Sequence, residues 1–103
     1  MNEESLKKEF IPKFIEKGET EFYKLLIAYS LNKMSLKESK NFISPEIELL
    51  DYHNAFMSLY RKEGDDNFLK IAKVFRKAAH KIYRVLLKNS IINKSNKFLN
   101  LVA

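Results

Sequence analysis

The sequence predicts a mainly α-helical chain closed by a C-terminal β-hairpin. Three observations lead there. Two glycines and two prolines in 103 residues leave little material for the turns of a many-stranded sheet. Apolar residues recur at helical spacing from the N-terminus to about residue 89. Beyond that, Ile91-Ile92, the polar run Asn93 to Lys97, and Phe98 to Val102 read as strand, turn and strand.

Residues 3–17 predict a first helix whose partial apolar stripe is Leu6, Phe10, Phe14 and Ile15. Pro12 predicts a kink or a late start within it, and Gly18 can end it. Glu19 and Glu21 suit the start of a second helix reaching about Lys33, with Phe22, Leu25, Leu26 and Tyr29 at the spacing of one buried face. Ser35 with Glu38 has the form of a capping box for a short third helix. Ser44-Pro45-Glu46 is a strong start signal: a capping hydroxyl, a proline where its missing N–H is harmless, and an acid in the first turn. Leu49, Leu50, Phe56, Leu59 and Tyr60 line the helix that follows, and Gly64 ends it. Asn67 can cap a helix over 68–76, and another is expected over about 78–89. The aromatics Phe56, Tyr60, Phe68 and Phe75 have core spacing, and His53 reads as a satisfied core or boundary residue.

Charge is distributed unevenly. Residues 1–43 carry eight Lys and seven Glu. Residues 44–66 set Arg61 and Lys62 against six acids, for −4. Residues 67–103 hold nine cations and no acid, and the whole chain is +6. A folded segment so one-sided projects a positive field that attracts polyanions. With no cysteine, disulfides and thiolate zinc sites are excluded, which fits a reducing, cytoplasmic setting. No apolar run has the length of a membrane span, and residues 1–30 lack a signal-peptide pattern. Lys, Asn and Ile make up about a third of the chain, above ordinary usage, and their codons point to an AT-rich source.

Within the basic segment, I71-A-K-V-F-R-K-A-A-H-K-I-Y-R-V-L86 resembles the core of a helix-turn-helix. There an apolar-Ala pair on one helix precedes, by ten residues, an apolar residue that pins the recognition helix; Ala72 and Ile82 have that separation. Leu49 to Tyr60 resembles the supporting helix, and residues 91–102 resemble the wing of a winged helix-turn-helix. Arg76 stands where the turn often has glycine, and Ala78 where a capping Ser or Thr is usual. On this resemblance residues 44–103 form a DNA-binding domain and 1–43 a helical extension for packing or dimerisation. It implies Ala79, His80, Lys81, Tyr83 and Arg84 at base edges, with Arg84 suited to guanine and Ile82 and Leu86 turned inward. Lys73, Lys77 and Lys88 would hold phosphates, Arg76 counts among the DNA-binding residues, and the wing Asn93, Lys94, Ser95, Asn96 and Lys97 would reach a minor groove.

The expected partners are double-stranded, AT-rich DNA, a second copy of the chain, and a protein partner in a nucleoprotein complex. The small basic build is similar to transcriptional regulators and to mobile-element accessory proteins of the excisionase-like or plasmid transfer-origin-binding kind. Two histidines, no cysteine and two isolated glycines assemble no recognisable catalytic, metal or phosphate-loop motif, so an enzyme is not expected and no cofactor is implied. The alternative reading is an all-helical interaction module, similar to bacteriocin-immunity bundles. It follows if 68–89 is one helix and the closing hairpin is absent.

Overall fold

The structure, a computed structural model, describes residues 2–34 and 44–93, with side chains described through Lys88. Three helices account for almost all of them: α1 (Glu3–Met34), α2 (Pro45–Glu63) and α3 (Asp66–Asn93).

Asn2 starts α1, its side-chain oxygen accepting the backbone N–H groups of Glu4 at 2.8 Å and Ser5 at 3.2 Å. The interruption expected at Pro12 does not occur; the backbone stays helical through it. The break is at Gly18, with φ 80° and ψ 171°, and it divides α1 into two helical halves. That conformation is essentially open to glycine alone, which is why the chain turns there rather than at the proline.

Helix α2 begins where Ser44-Pro45 predicts. The Ser44 hydroxyl, however, makes no cap and donates instead to Glu46 Oε2 at 2.7 Å. Gly64 closes the helix in the left-handed conformation, its N–H bonded to the Tyr60 carbonyl at 2.7 Å. Asp65, not Asn67, caps α3: its carboxylate accepts the Asn67 N–H at 2.9 Å.

Two expectations are overturned in α3. The separate helices 68–76 and 78–89 are one continuous helix, so no helix-turn-helix turn exists at Arg76 to Ala78. Ala78 and Ala79 favour helix strongly, and both are fully buried on the face that also carries Ile71, Phe75 and Ile82. Ala72 and Ile82, about 80° apart around the axis, instead share the wide buried face of one amphipathic helix. The C-terminal hairpin is also not seen: Ile91, Ile92 and Asn93 are helical, so the first strand of the wing does not form. Extending an existing helix adds a hydrogen bond for each residue ordered, whereas an isolated two-stranded hairpin is marginal in water. The described residues are all-α. The wing residues 94–97, the second strand over 98–102 and the short helix expected at Ser35 lie outside them.

One hydrophobic core joins all three helices. Phe10 from α1 lies edge-on to Phe75 at 5.1 Å and to Phe56 at 6.1 Å, and Phe56 stacks on Phe75 at 5.8 Å. Phe22, in the second half of α1, meets Phe75 edge-on at 5.7 Å. Leu6, Phe14 and Leu26 are buried with them, as their spacing predicts, while Ile15, Leu25 and Tyr29 from the same stripes remain exposed. Ion pairs pin α1 at both ends. Lys7 meets Glu63 at 2.7 Å and Lys62 meets Glu3 at 3.2 Å; near the other end Lys33 pairs with Glu48, which also accepts the Tyr29 hydroxyl at 3.1 Å.

Candidate nucleic-acid interface

Helix α3 separates its residues by face. Phe68, Ile71, Ala72, Val74, Phe75, Ala78, Ala79 and Ile82 are buried, with Leu86 packed against them. Lys70, Lys73, Arg76, Lys77, His80, Lys81, Arg84 and Lys88 are exposed. At 100° per residue these eight fall within an arc of about 140°, and from Lys70 to Lys88 the rise is about 27 Å. Packing produces this arrangement: burial of the apolar stripe turns every cation of the helix outward.

Among the described residues, none of these cations belongs to an ion pair with a carboxylate. Lys77 is anchored differently, its ammonium 4.8 Å from the centre of the Tyr23 ring, which fixes one flank of the basic face against α1. The opposite flank adjoins α2. There a groove of about 460 Å³ is lined by Lys73 and Arg76 from α3 and by His53, Asn54, Ser58 and Arg61 from α2.

The residues expected to touch DNA thus divide. Lys73, Arg76, Lys77, His80, Lys81, Tyr83, Arg84 and Lys88 share one exposed surface. Ala79 does not; it is 1% exposed, and a buried methyl cannot meet a base edge. Asn93 is helical, and Lys94, Ser95, Asn96 and Lys97 lie outside the described residues. Arg61 was missed because its segment is acidic overall. The available signal was that Arg61 and Lys62 are the only cations between residues 44 and 66.

His53 behaves as its setting in the sequence suggests. Half-buried, it donates from Nδ1 to the Ala72 carbonyl at 2.8 Å, joining α2 to α3. Elsewhere, burial and then the nearby Glu48 carboxylate push the Tyr52 hydroxyl up to about 12. The hydrogen bond to Glu48 raises the Lys33 ammonium above its ordinary value, against an opposing effect of burial. These groups tie α1 to α2 and stand away from the basic face.

Among the described residues no cluster of three or more His, Cys, Asp or Glu side chains is placed to hold a metal ion. Nor is any helix there long and apolar enough to cross a membrane. Comparison with protein-family models, curated proteins and solved structures finds no match to this chain.

Proposed function

We propose that the chain is a non-catalytic DNA-binding protein that lays the outward face of α3 along the phosphate backbone of a duplex. The observation that supports this reading is the acid-free face itself: seven Lys and Arg side chains and His80 over about 27 Å of one helix. Neutralising phosphates releases condensed counterions, and such a surface supplies the cations for it. The helix is narrow enough for a major groove about 12 Å wide. With no wing or helix-turn-helix crossing among the described residues, backbone contact dominates, and Arg84 is the side chain best suited to a guanine edge. A lipid surface is the poorer fit. A basic amphipathic helix binds membranes by inserting its apolar face, and in α3 that face is the protein core.

The test is binding to random-sequence duplex DNA across a salt series. Affinity should fall linearly on logarithmic axes with a slope implying several released counterions. Replacing Lys77, Lys81 and Lys88 with Gln together should lower the slope by about three, and Arg84→Ala should weaken any sequence preference. Absence of binding at low salt would overturn the reading.

A second reading, an all-helical protein-interaction module, is favoured by the continuous α3 and by a second surface, on α1. There Leu25 and Tyr29 remain 43% and 51% exposed beside an apolar groove of about 390 Å³ bounded by Phe10, Phe22, Tyr52 and Phe75. Failure to bind DNA, together with a partner protected at Leu25 and Tyr29, would replace the first reading with this one.

A further inference from the structure

The sequence presents α2 as the acidic part of the chain, yet the structure directs its acids elsewhere. Glu48 is held by Lys33 and Tyr29, Glu63 by Lys7, and Glu46 by the Ser44 hydroxyl. None of these carboxylates lines the groove between α2 and α3, and neither does Asp51, one turn before Asn54. What remains in that groove is Arg61, Lys73 and Arg76, without a carboxylate partner among the described residues, and the neutral hydrogen-bonding groups of Asn54 and Ser58.

We infer that the α2–α3 groove is a phosphate-binding site that takes a single phosphate group between Arg61, Lys73 and Arg76. The chemistry matches. Two guanidinium forks offer paired donors with the geometry of phosphate oxygens, an ammonium adds a compact charge, and a hydroxyl and an amide can complete the oxygen shell. Three positive charges exceed what a phosphate mono- or dianion requires, so binding does not depend on a counter-cation. The site is also held in shape. The His53 to Ala72 hydrogen bond crosses from α2 to α3 at the groove, so the two walls cannot slide without breaking it. Met57 and Leu69, both half-buried, complete its lining.

The phosphate can come from a nucleic-acid backbone or from a free phosphate ester. The first source rests on the DNA reading above, with the groove seating one backbone phosphate beside the α3 face; the second does not.

The experiment follows backbone amide shifts of the full chain during titration with inorganic phosphate, with sodium chloride at matched ionic strength as the control. Saturable shifts confined to residues 53–61 and 69–76 are expected, weakened at least tenfold in Arg61→Gln and Arg76→Gln but not in Lys81→Gln or Lys88→Gln. All four positions are exposed, so the fold should persist, and far-ultraviolet circular dichroism checks this. Shifts that do not saturate, that chloride reproduces, or that spread equally over Lys81, Arg84 and Lys88 would overturn the site. A short duplex titrated into the same variants separates the sources. Duplex affinity lost more in Arg61→Gln than in Lys88→Gln supports the site and assigns it to a nucleic-acid phosphate. Saturable phosphate binding without duplex binding supports the site, assigns it to a free phosphate ester, and overturns the DNA reading alone. Duplex binding without a saturable phosphate response overturns the site and leaves the DNA reading standing.

Discussion

His53 on α2 and Ala72 on α3 are joined by a 2.8 Å hydrogen bond from the imidazole Nδ1 to the backbone carbonyl. The contact is possible because Ala72 carries only a methyl group, fully buried, so the ring reaches the carbonyl in the middle of a helix. The bond joins antiparallel α2 and α3, and Ala72 lies within one unbroken helix rather than at a helix-turn-helix crossing.

Replacing His53 with Ala should lower stability by about 1 kcal/mol, the worth of one such hydrogen bond, with some added loss of packing. For a domain of this size that is a fall of roughly 4–8 °C in Tm. Thermal unfolding followed at 222 nm measures it; an unchanged Tm would show that the bond contributes nothing in solution.

The two glycines should respond unequally to alanine. At neither position does a more distant part of the chain come within 4 Å of where a Cβ would stand, so any cost is conformational rather than tertiary crowding. Gly64, at φ 73° and ψ 11°, sits in the left-handed region that other residues enter for about 1–2 kcal/mol. Gly18, at φ 80° and ψ 171°, sits where side chains are scarcely tolerated, and the cost there should approach about 3 kcal/mol. Urea unfolding of Gly18→Ala and Gly64→Ala gives the comparison, and the reverse order would contradict the assigned geometry at Gly18.

Stability should decline at alkaline pH through the contact between α1 and α2. Lys33 and Tyr52 both hold their protons more tightly in the folded chain than their ordinary values of 10.5 and 10.0, Tyr52 up to about 12. A raised folded value means that the stabilisation is complete below the unfolded value and disappears as pH rises through the folded one. The loss should therefore run from about pH 10 to about pH 12. In Tyr52→Phe there is no phenol to ionise, and the decline over that window should be shallower. Parallel curves for the two proteins would exclude Tyr52 as a contributor.

Ser30 is fully buried in the second half of α1, and its hydroxyl has no hydrogen-bond partner among the described residues. A buried hydroxyl without a partner is unfavourable, and alanine is also the better helix former. Ser30→Ala should raise stability by about 1 kcal/mol. A decrease would show that the hydroxyl is satisfied in solution.

Local signals were legible in the residues themselves. Gly64 closes α2, Ser44-Pro45 opens it, and the four-residue spacing of Leu6, Phe10 and Phe14 marks a buried face, all of which the structure reproduces. These features depend on a few neighbouring residues and on backbone preferences that act wherever the chain is. The same locality explains the errors. Ile71 to Leu86 satisfies a helix-turn-helix pattern and an uninterrupted amphipathic helix equally well, because both place small and apolar residues on one side.

By itself, then, the sequence determined a helical chain, the ends of α2, most of the core residues and a C-terminal half rich in cations. Only the tertiary structure decided that α3 runs unbroken to Asn93, that Ala79 is buried and that Glu48 and Glu63 of α2 pair with α1. Those outcomes are long-range. Whether Ala78 and Ala79 lie in a turn or in a helix depends on Phe10, Phe22 and Phe56 meeting Phe75, contacts between residues far apart in the chain. The groove beside Arg61 exists for the same reason, since its walls, Asn54 to Arg61 and Leu69 to Arg76, meet only when α2 packs on α3.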